Sequence, residues 1–220
     1  MPREPIKLKR LTQAGIGEDD LTYFIDTFVQ PPGRYWYKSD YKSPWQFVKS
    51  KTGIPIGVKE YENLRHLVGD IWVAKCCPGK TDFICIDIDN KGPVPVMIRY
   101  IEVCSLFHVP AIVFRSSKSG GLHVYYFFPT KVWRDPLKNW LQNRISGLPQ
   151  FDIPLEYLPG NLDHLRLPLG RDSILLSPQT LEPMGLTLKE SLDYIKQYRK
   201  QNELEFTDED YTRYFETWDH

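Results

Sequence analysis

Two aspartates at the end of an apolar segment are the residues of this sequence best suited to chemistry. The segment FICIDIDN, residues 83–90, has the alternation of a β-strand, whose successive side chains point to opposite faces. Three isoleucines therefore share one face, and Asp87 and Asp89 share the other. Neighbouring carboxylates repel each other, and their oxygens are the ligands that Mg²⁺ or Mn²⁺ prefers. The pattern suits a metal site, although a strand that simply ends in solvent also fits it.

A polar, glycine-containing turn follows in FRSSKSGGLHVYY, residues 114–126, and joins two predicted strands. Hydroxyl groups, an ammonium group and backbone N–H groups freed by glycine are what an anionic phosphate requires. These groups come from Ser117, Lys118, Ser119 and Gly121. His123 opens the next strand and could donate to a phosphate oxygen. The alternative is an ordinary hairpin with a solvated Lys118 and a half-buried His123.

A third segment, residues 151–172, adds further carboxylates and an arginine. A metal pair held by two aspartates would use a third carboxylate, for which the segment offers Asp152, Glu156 and Asp163. Arg166, in the stretch LRLPLG, could bind a phosphate in a bidentate manner. Each of these residues, taken alone, is also an ordinary surface charge.

Together the three segments resemble the archaeo-eukaryotic primase superfamily of primase-polymerases, over roughly residues 71–176. ICIDIDN is similar to the family's first motif, an apolar strand that ends in two acids. SSKSGGLHVYY is similar to its second, a hairpin of the SxH type that is also found in the polymerase domain of bacterial end-joining ligases. EYLPG and LRLPLG are similar to the third motif of plasmid, phage and CRISPR-linked members.

The resemblance implies a DNA primase or polymerase that joins nucleotides by two-metal phosphoryl transfer, with Mg²⁺ or Mn²⁺ as cofactor. Asp87, Asp89 and Glu156 would be the catalytic metal ligands, with Asp163 and then Asp152 as the next choices for the third position. The implied nucleotide-binding residues are Ser117, Lys118, Ser119, Gly121, His123 and Arg166. The implied partners are a DNA template and primer, an NTP or dNTP, and a helicase, replication or CRISPR protein on a separate chain.

Two alternative functions belong to other classes of protein. A non-catalytic nucleic-acid-binding module, similar to an RNA-recognition motif (RRM), would stack bases on Tyr125 and Phe127 at an open sheet face. A phosphatase of the haloacid dehalogenase kind would use a DxD motif as nucleophile and acid. It fits less well, because that motif normally lies near the N-terminus and continues as D-x-D-x-T/V. Here Asn90 and Lys91 follow Asp89.

The elements that must position these residues alternate in a hairpin-rich order typical of α+β proteins. We predict strands at 71–77 and 83–89, paired as a hairpin, and at 111–115 and 122–128. Further short strands are predicted near 151–157, 164–168 and 173–176, and another in GRYWYKSD. Helices are predicted at 19–30, 60–69, 95–108, 135–146, about 187–201 and 208–217.

The predicted fold is therefore an α+β primase-polymerase core with an RRM-like mixed or antiparallel sheet, flanked by helices. We predict an N-terminal α/β module at 1–70 packed on the core, the catalytic core at 71–202, and an acidic helix or tail at 203–220.

The composition of the chain excludes few functions. The 220 residues include 28 basic and 28 acidic side chains, but the first 180 residues carry +5 and the last 40 carry −5. Neutrality of the whole therefore does not exclude nucleic acid, and predicts binding that is modest, salt-sensitive and assisted by metal. No apolar run reaches the roughly 20 residues that span a bilayer. The four cysteines lack zinc-finger spacing, and we expect a cytoplasmic protein without membrane contact.

Overall fold

A computed structural model describes residues 11–12, 14–30, 34–48, 60–149, 154–160, 162 and 164–215, and shows an α+β fold with two antiparallel sheets. The helices are α1 (Glu18–Phe24), α2 (Glu60–Leu67), α3 (Val96–Ser105), α4 (Arg134–Ser146), α5 (Leu188–Arg199) and α6 (Asp208–Phe215). The strands are β1 (Tyr35–Lys38), β2 (Gln46–Phe47), β3 (Trp72–Lys75), β4 (Lys80–Ile88), β5 (Ile112–Arg115), β6 (Leu122–Trp133), β7 (Glu156–Leu158), β8 (Leu165–Arg166) and β9 (Ile174–Leu176).

The five-stranded sheet has the order β7-β4-β6-β5-β9, and each neighbouring pair is antiparallel. One face buries Ile84, Ile86 and Ile88 in a core cluster that also contains residues of α3 and α4. The opposite face buries Phe83 and Cys85 in a second cluster. The alternation predicted for β4 is thus confirmed, and the strand is buried on both faces over most of its length.

The four-stranded sheet, β2-β1-β3-β8, corrects one prediction. β3 and β4 were expected to form a hairpin, but β3 pairs with β1 and β8, whereas β4 pairs with β6 and β7. A strand has only two hydrogen-bonding edges, and here both edges of each strand have other partners. The turn near Pro78 therefore carries the chain from one sheet to the other.

This sheet also joins segments that lie far apart in the chain. β1 and β2 come from the predicted N-terminal module, and β3 and β8 come from the predicted core. The boundary predicted near residue 70 therefore lies between strands that share backbone hydrogen bonds.

The helices predicted from sequence form close to their expected positions. Thr187 and Glu190 make a reciprocal capping box at the start of α5, in which the Thr187 hydroxyl accepts from the Glu190 N–H. α1 continues into a π-helical turn, Ile25–Val29, which ends at Gln30 in the left-handed region with φ 46°. Within the described ranges, no helix combines the length and the apolar character needed to span a bilayer.

Candidate active site

The antiparallel register places three of the predicted site residues side by side on adjacent strands. Asp87 of β4 lies opposite His123 of β6 on one side and opposite Glu156 of β7 on the other. Directly opposed residues of an antiparallel pair project from the same face of the sheet. The His123 Nε2 atom lies 3.7 Å from the Asp87 Oδ2 atom. Segments that are far apart in sequence therefore meet at the end of β4.

Asp87 has a carboxylate oxygen without a partner among the described residues. Its Oδ1 atom is buried and accepts no hydrogen bond, although 20% of the side chain is exposed. A buried polar atom without a partner costs free energy unless another group satisfies it. A divalent cation bound by Asp87 would satisfy this oxygen, so the residue fits the metal role implied by the resemblance.

Glu156 extends the negative charge of the site. Its pKa is raised, first by burial and then by the negative charges of Asp87 and Asp89. Ionisation of a third carboxylate at this position is therefore unfavourable in the folded protein, and the positive charge of a bound cation would make it more favourable. Asp152 and Asp163, the other candidates for the third ligand, lie outside the described residues.

The carboxylates do not form a closed metal cage. In the described part of the chain, no group of three or more His, Cys, Asp or Glu side chains is already gathered to hold an ion. The Asp89 carboxylate instead pairs with the exposed Lys91 ammonium, whose Nζ atom lies 2.7 Å from Oδ2. This hydrogen bond raises the pKa of Lys91. Such an exposed pair contributes about 0–1 kcal/mol and is easily exchanged for a metal ion.

A buried arginine holds the backbone at the end of β4. Arg99 of α3 is 1% exposed, and its Nη1 atom donates to the Asp89 carbonyl oxygen at 2.7 Å. Asp89 is therefore fixed through its main chain, while its side chain stays free to exchange partners.

The predicted phosphate loop packs tightly against the same strand end. A Cβ atom on Gly121 would lie 3.0 Å from the Ser116 Oγ atom and 3.1 Å from the Ile88 carbonyl oxygen, so only glycine fits without displacement. Asn90 Nδ2 donates to the Ser119 carbonyl oxygen, and the Ser117 and Ser119 hydroxyls are 2.5 Å apart. The loop is thus tied to β4.

The predicted nucleotide-binding residues have different environments. Ser117, His123 and Arg166 line a cavity of about 360 Å³ together with the three carboxylates. Lys118, Ser119 and Gly121 are not among its lining residues. The Lys118 Nζ atom lies 4.0 Å from Asp172 Oδ1 and 4.9 Å from the centre of the Tyr41 ring.

Arg166 connects the two sheets at this cavity. It belongs to β8 of the four-stranded sheet, and its Nη2 atom donates to the Ser116 carbonyl oxygen at the start of the loop. Burial lowers the pKa of Arg166, and the negative charge of Asp87 opposes that effect. A half-buried guanidinium beside carboxylates and hydroxyls is suited to an anionic phosphate.

Sequence reasoning missed one wall of the cavity. Its remaining lining residues are mostly aromatic or basic and come largely from the four-stranded sheet and its loops: Lys38, Tyr41, Trp45, Trp72, Ala74, Ser116, Leu162, His164 and Leu165. The available signal was the cluster of aromatic residues that continues beyond GRYWYKSD to Tyr41 and Trp45, but its role depended on a fold not visible in sequence.

The five-stranded sheet does not present the open aromatic face that the RRM-like alternative requires. Tyr125 and Phe127 are each 1% exposed. Phe28, from the π-helical turn, contacts both rings edge-on at 5.6 and 6.1 Å. These aromatics therefore belong to the core, and no base can stack on them without unfolding this region.

No protein-family model matches the chain, and the search of curated proteins gives no match either.

Proposed function

We propose that this protein is a template-directed nucleotidyltransferase, a DNA primase or polymerase of the primase-polymerase kind. The observation that carries the proposal is the alignment of Glu156, Asp87 and His123 on three neighbouring strands, with the Asp87 Oδ1 atom buried and without a partner among the described residues. The three sequence motifs that prompted the resemblance thus supply residues of one cavity.

Asp87, Asp89 and Glu156 would hold divalent Mg²⁺ or Mn²⁺ in this function. Such ions, when bound, activate a nucleophilic hydroxyl and stabilise the leaving pyrophosphate. The protein's own residues bind and orient the nucleotide. Ser117 donates its hydroxyl to phosphate oxygens, Arg166 neutralises their charge, and His123 donates to them from Nε2.

The sequence-independent part of template binding would come from phosphate contacts, which makes binding sensitive to salt. The near-neutral charge of the chain supports modest affinity that improves when metal ions offset the three carboxylates.

The test is a primer-extension and priming assay. Labelled dNTPs or NTPs and Mn²⁺ are supplied with a primed and with an unprimed template, and elongation, new dinucleotides and released phosphate are measured. We expect elongation or dinucleotide synthesis by the wild type and none by the Asp87→Ala, Asp89→Ala double variant. Template-dependent synthesis by that variant, or its absence from the wild type, would refute the proposal.

A control variant separates the loss of charge from the loss of the site. Asp208→Asn combined with Glu209→Gln removes two exposed carboxylates from the first turn of α6. This variant is expected to extend primers at the wild-type rate. Release of phosphate without elongation or dinucleotide synthesis would instead favour the phosphatase alternative, and binding of nucleic acid without synthesis would favour the non-catalytic one.

A further inference from the structure

One face of the four-stranded sheet brings aromatic side chains to the candidate active site. Opposed residues of antiparallel strands share a face, and the pairs Trp36–Ala74, Ala74–Arg166 and Lys38–Trp72 lie on the face opposite the core. Tyr41, Trp45 and His164 extend this surface in the neighbouring loops. We call Trp36, Tyr41, Trp45, Trp72 and His164 the aromatic wall.

The contacts within the aromatic wall leave Trp45 the best placed to receive a ligand. The His164 ring lies 4.8 Å from Trp36 at 30°, which braces it against β1. It meets Trp45 edge to face, at 6.1 Å and 69°. Such a contact occupies at most one face of the indole. Trp45 is half-buried and lines the cavity.

The other rings of the wall are more fully engaged. Trp72 is 2% exposed and donates from Nε1 to the Arg171 carbonyl oxygen. The Tyr41 ring has the Lys118 ammonium 4.9 Å and the Arg171 guanidinium 5.5 Å from its centre. Both rings therefore already serve as supports for cations or for the loop around residue 171.

Four members of the aromatic wall, Tyr41, Trp45, Trp72 and His164, line the same cavity as the carboxylates, so this cavity has two chemically different parts. Arg166 is shared by both, because it lies on the face of the sheet that bears the wall and contacts the Ser116 carbonyl. The cavity volume of about 360 Å³ falls in the range of about 300–1,000 Å³ typical of small-molecule sites. One part suits phosphates and metal ions, and the other suits a flat apolar ring.

We propose that Trp45 stacks on the nucleobase of the incoming nucleotide, whose phosphates lie beside Arg166 and the carboxylates. This inference rests on the proposed function and assigns a base subsite to it. Stacking on an aromatic ring tolerates every base, because each base has a π face. A template-directed enzyme must accept all four bases, so a stacking contact suits it better than hydrogen bonds to one base edge.

The test compares ligands with and without a base. Binding of a purine nucleoside triphosphate and of inorganic tripolyphosphate is measured by calorimetry in Mn²⁺, without template, for the wild type, Trp45→Ala and Trp45→Phe. Trp45→Ala should weaken nucleotide binding about 5- to 150-fold, the usual effect of removing a stacking aromatic residue. It should leave tripolyphosphate binding unchanged, and Trp45→Phe should restore much of the nucleotide affinity.

Trp133→Ala is the matched control, because Trp133 is 50% exposed and does not line the cavity. Equal loss of affinity for nucleotide and tripolyphosphate in Trp45→Ala would show general damage and overturn the assignment. Unchanged affinity for nucleotide would overturn it too. If a single-stranded oligonucleotide, titrated in parallel, loses affinity in Trp45→Ala while the nucleotide does not, Trp45 belongs to the template base and the subsite for the incoming nucleotide is refuted.

The outcome is distinguishable from failure of the proposed function. If the wild type binds no nucleotide and extends no primer, the function itself fails. If the wild type extends primers and Trp45→Ala retains wild-type nucleotide affinity, only the base subsite fails.

Discussion

Replacement of Arg99 by methionine tests whether the buried guanidinium positions the end of the carboxylate strand. The side chain is 1% exposed, and its Nη1 atom donates to the Asp89 carbonyl oxygen at 2.7 Å. Methionine keeps much of the apolar length of the side chain but cannot donate a hydrogen bond. The carbonyl oxygen would then lose a charged donor in a partly buried setting.

The magnitude follows from that contact. A hydrogen bond to a charged group contributes about 1.5–3 kcal/mol. For a chain of this length, each kcal/mol shifts the melting temperature by about 2–4 °C. Arg99→Met should therefore lower the melting temperature by about 3–12 °C. Arg213→Met, on the exposed surface of α6, should change stability by less than about 0.5 kcal/mol.

A second measurement separates positioning from stability alone. Below the melting transition, Mn²⁺ binding is measured by calorimetry for the wild type, Arg99→Met and Arg99→Lys. Loss of a group that orients metal ligands typically weakens metal binding about 10- to 100-fold. We expect that loss in Arg99→Met and partial recovery in Arg99→Lys. A variant that melts earlier but binds Mn²⁺ like the wild type would refute the positioning role.

Three further predictions concern other buried or shared groups. His123→Ala should weaken nucleotide binding about 2- to 10-fold, the effect of one hydrogen bond, and unchanged affinity in calorimetry would refute the role. Burial lowers the pKa of His66 to about 4. Below pH 6.5 the unfolded chain therefore binds a proton at this histidine that the folded protein does not bind. The free energy of unfolding should have its full value above pH 6.5 and should fall by roughly 3 kcal/mol as the pH is lowered to 4. In urea unfolding, His66→Gln should lose that part of the pH dependence, and an unchanged slope would contradict the assignment. Arg199 pairs with Asp82 at 2.9 Å, with side chains 14% and 13% exposed. Arg199→Met should cost about 2–3 kcal/mol in urea unfolding, somewhat less than a fully buried pair, and adding Asp82→Leu should recover part of the loss. Additive losses would show that the pair is not coupled.

The local pattern of the sequence was sufficient to predict most of the elements. Alternation in FICIDIDN assigned Ile84, Ile86 and Ile88 to one face of β4, and the structure confirms that face as part of a core. Thr187 and Glu190 marked the start of α5 correctly. These predictions succeed because the period of a strand and the capping of a helix depend on residues only two to four positions apart.

Strand pairing could not be predicted in the same way. The turn near Pro78 was visible in the sequence, but the partners of β3 were not, because β1 and β8 lie far from it along the chain. Many pairings satisfy the same alternation, and burial in the complete fold selects among them. The predicted hairpin of β3 with β4 was wrong for this reason.

In the candidate site, too, local features were predictable from the sequence and long-range contacts were not. The sequence by itself determined that Asp87 and Asp89 share a strand face opposite buried isoleucines, since this follows from local geometry. Only the tertiary structure decided that Glu156 and His123 flank Asp87 and that Trp45 and His164 line the same cavity. It also decided that the Lys118 ammonium lies near Asp172 and Tyr41, although Lys118 itself does not line the cavity. Proximity between distant segments arises when strands pair within a sheet and when two sheets pack together, and no local sequence pattern encodes it.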